Sequence, residues 1–383
     1  MSFKNKIISI TVFFLVFSSL SASFVEAANI NERPSRTTKR QRIAQDRNLI
    51  HDFLGKYFGE KNAAWRNCFN TAFESNAKVH SMANSYLLMY TSLFVYDKVL
   101  NTPTFEGFKK RFRAIVKILG INNLDFINKC EGTADTQAVV MSTEKEVIVV
   151  FRGSEGRMKD KSIIRVIYDW IFTDLNFFHR PFEMFGEKAR VHTGFYNGVD
   201  IVYDELKTLI EKHIKGNAFT FGKPKSLWLT GHSLGGGLAP IAAARLIADG
   251  ITVNGVYTYG APRFANPNLA KHMGKMLANY QRWVLDNDIV TKVPFKKWGF
   301  QHSANPNNIY EDGQIKINDG EMIGTAKPSS HYPTQYLSRI YEALPKNIKG
   351  KMPPAPPHEI WSTDADDLFL KELEKLSKKF GES

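Results

Sequence analysis

Seven residues, Gly231-His232-Ser233-Leu234-Gly235-Gly236-Gly237, constrain this chain more than any others. Before them lies Leu227-Trp228-Leu229-Thr230, apolar and β-prone. After them, an alanine- and leucine-rich stretch to Leu246 reads as a helix from about Gly236 onward. A strand that turns at once into a helix crowds the residue at the turn, so small neighbours are needed two positions to either side. Gly231 and Gly235 stand there. Gly-x-Ser-x-Gly between a strand and a helix is a nucleophile elbow, in which Ser233 Oγ projects from the turn. The free N–H groups and positive dipole end of the helix lie beneath it, where a developing oxyanion is stabilised.

Strands and helices alternate around this elbow. Ile50 to about Leu119 reads as helical, most strongly over His80 to Leu100, with Pro103 as a break. Thr136–Met141 and Glu146–Phe151 bracket a polar turn and read as a hairpin of core strands. Val191 opens a helical stretch to Ile210, and Val253–Tyr259 and Arg282–Leu285 read as further strands. The alternation predicts an α/β fold with a mostly parallel central sheet flanked by helices, and 383 residues suffice to bury such a core. Ligands bind such sheets beyond the carboxyl ends of the strands, the edge on which Ser154, Ser233 and Asp288 fall. Gly216 to Pro224 superficially suggests a phosphate loop, but its glycine spacing is one residue too long and Pro224 replaces the required hydroxyl.

A serine hydroxyl is a weak nucleophile without a histidine base and a carboxylate to orient that base. On this sheet topology the chain order is serine, acid, histidine. Asp286 and Asp288 compete for the acid, and Asp288 is favoured because it sits in the loop just beyond the strand. His302 and His331 compete for the base, and His331, on a late loop before a helix, is favoured. His302 is read as structural, as are His232 and His192, and His272 precedes the acid. The oxyanion hole needs two donors about 3 Å from the developing charge. The backbone N–H of Leu234 supplies one, and Ser154, at the end of an earlier strand, supplies the other.

Taken together, Val149-Val150-Phe151-Arg152-Gly153-Ser154, Asp169-Trp170, Asp174-Leu175, Val191-His192-Thr193-Gly194-Phe195, the elbow, Tyr259-Gly260-Ala261-Pro262-Arg263, Arg282 through Val290, and His331 resemble the class 3 lipase family. These are the fungal-type triacylglycerol lipases of the α/β-hydrolase superfamily, and the likeness covers roughly residues 75–342. The resemblance implies Ser233 as nucleophile, Asp288 as acid, His331 as base, Ser154 and Leu234 as oxyanion donors, and a lid within residues 155–168. It implies a serine esterase that hydrolyses lipid carboxylic esters through an acyl-enzyme on Ser233, and the signal peptide read below makes it a secreted one. The alternatives are a phospholipase or short-chain esterase, or a catalytically inactive secreted lipid- or membrane-binding protein. The basic character of the lid and Leu285 at the strand end depart from the family pattern.

Residues 1–27 read as a signal peptide: Lys4 and Lys6, an apolar run from Ile7 to Leu20, and small residues before a cut near Ala27. Export would place the chain outside the cell or in the periplasm, where Cys68 and Cys130 are free to pair. Residues 28–48 read as a basic polar extension, 49–345 as the hydrolase domain, and 346–383 as a Pro-rich linker or strap with an amphipathic helix over 363–380. The net charge of +13 suits a lipid–water interface or an anionic membrane surface. The basic leader lacks the interleaved aromatics of a nucleic-acid binder. No metal-ligand cluster is visible, no cofactor is implied, and the oligomeric state stays open.

Overall fold

The computed structural model describes residue 56 and residues 63–96, 104–132, 134–153, 178–215, 224–325 and 327–357. All belong to the unit Leu49–Ser383. The signal-peptide and leader readings, Ser154, the lid over 155–168 and the 363–380 helix lie outside the described residues.

A short helix α1 (Cys68–Thr71) leads to α2 (Met82–Phe94) and α3 (Phe105–Ile118). Three strands follow, β1 (Asn123–Glu131), β2 (Ala134–Ser142) and β3 (Glu146–Phe151). A small two-stranded ribbon, β4 (His179–Pro181) with β5 (Arg190–His192), precedes α4 (Thr193–Asp200) and α5 (Tyr203–Lys215). The elbow region contributes β6 (Ser226–His232) and α6 (Leu234–Ala248), then come β7 (Gly255–Tyr259), α7 (Pro267–Met276) and β8 (Tyr280–Leu285). The sheet closes with β9 (Pro306–Ile309) and β10 (Ile315–Lys316), and α8 (Pro333–Glu342) and α9 (Lys346–Lys349) finish the described chain.

The main sheet has eight strands in the order β1-β2-β3-β6-β7-β8-β9-β10. Its centre, β3 to β9, is parallel, and antiparallel pairs close both edges. The parallel strands are almost wholly buried, because helices cover both of their faces. Helix α2 is buried on all sides from Ala83 to Phe94, so the stripe of Tyr86, Leu87, Met89 and Tyr90 is core. Ser81 and Thr104 cap α2 and α3 by accepting from the N–H of Asn84 and Gly107.

Several expectations need correction. Helix α6 begins at Leu234, two residues earlier than the pattern suggested, because Gly235–Gly237 are helical despite their poor propensity. They are small for packing: a Cβ on Gly237 would meet Phe195 at 2.5 Å. Strand β1 carries no clear alternation, with Ile127 its one fully buried residue, yet it pairs with β2 along its length. Strand β9, Pro-Asn-Asn-Ile, was not anticipated and is buried throughout. The following loop bonds both asparagines: Asn308 Nδ2 donates to Gly320 O at 2.7 Å, and Asn307 Oδ1 accepts from Asn318 N at 3.0 Å. The two cysteines are free thiols, Cys68 buried and Cys130 exposed. Residues 351–357 form a strap and not a solvated linker: Met352 is buried, and the Pro353 carbonyl accepts from the Tyr86 hydroxyl at 2.6 Å.

Candidate active site

The elbow is built by close backbone approaches. A Cβ on Gly231 would lie 2.4 Å from the carbonyl of Gly235, and one on Gly235 would lie 2.2 Å from the carbonyl oxygen of Phe151. The two glycines thus make room for each other and for β3. Between them Ser233 adopts φ 59°, ψ −124°, a strained conformation for a residue with a side chain. Its N–H is tied to the carbonyl of Tyr259 at the end of β7. This geometry lifts Oγ out of the strand line at the carboxyl edge of the sheet.

Three side chains meet there. Ser233 Oγ lies 2.9 Å from His331 Nε2, and His331 Nδ1 lies 2.9 and 3.1 Å from the two oxygens of Asp288. A carboxylate only accepts, so Nδ1 carries the proton and Nε2 keeps a lone pair toward the serine hydroxyl. Ser233 and Asp288 are fully buried and His331 is 2% exposed. Asp288 extends from the turn after β8, and its Oδ1 also accepts from Val290 N at 2.9 Å. His331 ends the 3₁₀ turn Pro328–His331 just before α8. Gly260, at the end of β7, has φ +58°, and a Cβ there would meet Asp288 Oδ2 at 2.7 Å and His331 Nδ1 at 3.0 Å.

The competing residues go elsewhere. Asp286 is half-buried at φ 44°, accepts a 3.4 Å hydrogen bond from Ser330, and burial pushes its carboxyl above the usual range. His302 Nε2 donates to Thr291 O at 2.7 Å, and burial, with the charges of Arg282 and Arg263, holds it well below the usual imidazole range. His192 caps α4, its Nδ1 accepting from Gly194 N at 3.2 Å. Of the two oxyanion candidates, the Leu234 amide stands at the first turn of α6, immediately after Ser233, and Ser154 lies outside the described residues.

Sequence reasoning missed three supports. The Tyr336 hydroxyl donates to Asp288 Oδ2 at 2.7 Å and accepts from Leu285 N at 3.0 Å. His232, read as structural, is more than packing: its ring bridges the Tyr96 hydroxyl and the His331 carbonyl. Spacing carries no signal for Tyr96 or Tyr336. A histidine between Gly231 and Ser233 was visible, and only its partners were not.

The Lipase (class 3) family profile matches residues 148–298. Secreted mono- and diacylglycerol lipase 1 of Fusarium solani is 29% identical over 47% of this chain and 51% of its own length. The lipase of Rhizomucor miehei is 30% identical over 44% of each. The chain thus spans about half the length of the curated relatives it matches. Among solved structures, a mutant form of MDLA from Penicillium cyclopium is 20% identical, with a match that covers 67% of this chain and 96% of that one at a TM-score of 0.48. Elbow, strand order and profile agree: over residues 148–298 the chain is similar to the class 3 lipases, on a mostly parallel α/β sheet.

Proposed function

We propose that this protein is a carboxylic ester hydrolase, a secreted lipase-type serine esterase that acts on lipid esters. One observation carries the reading: a continuous hydrogen-bond chain from Ser233 Oγ through His331 to Asp288. Ser233 is the nucleophile, His331 the general base and then acid, and Asp288 the group that orients and stabilises the imidazolium. As Oγ attacks the ester carbonyl carbon, His331 Nε2 takes its proton. The carbonyl oxygen becomes an oxyanion, held by the Leu234 N–H and by Ser154. The tetrahedral intermediate then expels the alcohol, which takes the proton back from His331. Water repeats the cycle on the acyl-enzyme and releases the fatty acid.

Full burial of Ser233 supports an entry step in which covering residues move before substrate reaches Oγ. The resemblance assigns a lid to residues 155–168, which lie outside the described residues. Three relatives are named as lipases of mono- and diacylglycerols, so partial glycerides head the substrate panel. The segment 49–345 is the hydrolase domain, and residues 1–27 direct export.

The test is activity-based labelling with a fluorescent organophosphonate, followed by turnover of mono-, di- and triacylglycerol emulsions, phospholipid vesicles and short-chain p-nitrophenyl esters. The wild type is labelled at Ser233 and releases fatty acid, whereas Ser233→Ala loses roughly 10⁴–10⁶-fold in turnover. A wild type that is neither labelled nor hydrolytic makes the chain a lipid-binding protein on a silent scaffold.

A further inference from the structure

We propose that Tyr96 and His232 form a positioning pair that holds His331 against Ser233 and ties it to the end of β3. The inference rests on the hydrolytic reading above and names residues outside the three reacting side chains.

Three elements meet at this pair. Tyr96 stands two residues beyond α2 and is fully buried. Its hydroxyl lies 2.9 Å from His232 Nδ1. On the far side of the ring, His232 Nε2 lies 2.9 Å from the backbone oxygen of His331. A carbonyl only accepts, so Nε2 carries the proton, Nδ1 is the acceptor, and the Tyr96 hydroxyl donates to it. The two bonds therefore select one tautomer. With the other, a ring lone pair would face the lone pairs of the His331 carbonyl.

His232 also stays neutral beside the base. Burial, and after it the charge of His331, holds its imidazole well below the ordinary range. The two rings lie 4.8 Å apart, tilted by 32°. When His331 takes the serine proton, its neighbour therefore presents an uncharged ring and adds no like-charge repulsion. The same hydroxyl reaches the third element. A Cβ on Gly153 would lie 2.0 Å from the Tyr96 oxygen and 2.8 Å from the His232 carbonyl. Tyr96 thus abuts the residue before Ser154, so the base and the proposed oxyanion strand share one rigid spacer. Since misplacements near 1 Å cost on the order of 10²-fold in rate, this spacer matters to turnover and not only to packing.

Four variants test the pair: His232→Leu, His232→Gln, Tyr96→Phe and the double Tyr96→Phe/His232→Leu. The soluble substrate is p-nitrophenyl butyrate, after wild-type labelling has established Ser233 as nucleophile. His232→Leu lowers kcat roughly 10–100-fold with KM within twofold. It also moves the acid limb of the pH profile of kcat/KM to lower pH, because a loosened imidazolium is held less well by Asp288. His232→Gln, which keeps an N–H donor toward the carbonyl, recovers most of kcat. Tyr96→Phe falls between, and the double variant is no worse than His232→Leu alone. Amide hydrogen exchange over residues 328–336 rises in His232→Leu and returns in His232→Gln, a readout independent of turnover. An active wild type whose folded Tyr96→Phe and His232→Leu forms keep normal kcat overturns the pair and leaves the hydrolytic reading intact. So does exchange that stays at the wild-type rate, or a loss in His232→Leu with an unmoved pH profile and no rescue by glutamine.

Discussion

Alanine at position 260 perturbs the site without touching Ser233, His331 or Asp288. The added methyl carbon would sit 2.7 Å from Asp288 Oδ2, 3.0 Å from His331 Nδ1 and 3.1 Å from His331 Cε1. A relaxed contact needs about 3.5 Å, so the carboxylate must retreat by about 0.8 Å. It has little room, because Oδ2 is held at 2.7 Å by Tyr336 and Oδ1 at 2.9 Å by Val290 N. The retreat stretches the bond that orients His331, and kcat is expected to fall roughly 30–100-fold. Stability falls by about 2–3 kcal/mol, from the left-handed backbone at φ +58° and from overpacking. Gly250→Ala is the matched control: φ is +82° there, and an added Cβ meets nothing within 4 Å. It loses about 1 kcal/mol from backbone conformation alone and keeps its kcat. The assay is kcat on p-nitrophenyl butyrate alongside urea denaturation for both variants. A Gly260→Ala enzyme within threefold of wild type, or a Gly250→Ala enzyme equally impaired, refutes the reasoning.

Further outcomes follow from the same geometry. Tyr336→Phe removes one of the donors to buried Asp288, and kcat on the same ester falls about 10-fold, corresponding to a charged hydrogen bond of about 1.5 kcal/mol. Unchanged kcat means that Val290 N and His331 suffice. Asp288→Asn leaves the fold intact by circular dichroism but lowers turnover roughly 10⁴-fold, since an amide can force the wrong imidazole tautomer; a loss below 10-fold contradicts the assignment of the acid. Burial pushes the His80 imidazole down to about 4. The unfolded chain therefore binds this proton first, and stability falls as pH drops from about 6.5 through 4, by at most about 3 kcal/mol. His80→Gln flattens that part of the denaturation-versus-pH curve, and an unaltered slope assigns the acid sensitivity to other groups.

The elbow was legible because its glycines answer a local need: the backbones of Gly231, Gly235 and Phe151 pass too close for any Cβ. Asp288 and His331 were legible from chain order and family likeness, although Asp286 and His302 offered the same chemistry nearby. What separates the pairs is three-dimensional. Asp286 turns to Ser330 and His302 to the Thr291 carbonyl, and no spacing encodes either choice. Tyr96 and Tyr336 stayed silent because each acts across long stretches of chain, 136 residues to His232 in one case and 48 to Asp288 in the other. Strands β1 and β9 were missed for a different reason. Period-two reading needs apolar alternation, and these strands instead place polar residues where loops and helices bond them.

The bond from Tyr86 to the Pro353 carbonyl joins positions 267 residues apart, and α8, which follows His331, packs against α2. Such closures cost chain entropy and form late relative to local contacts. Strand, turn and helix around Ser233 are by contrast contiguous, and their defining contact links Gly231 to Gly235. A newly made polypeptide should therefore possess a shaped serine turn before anything anchors its imidazole. Premature reactivity is withheld by the order of assembly, since α8 and the strap must dock on α2 before the relay is whole.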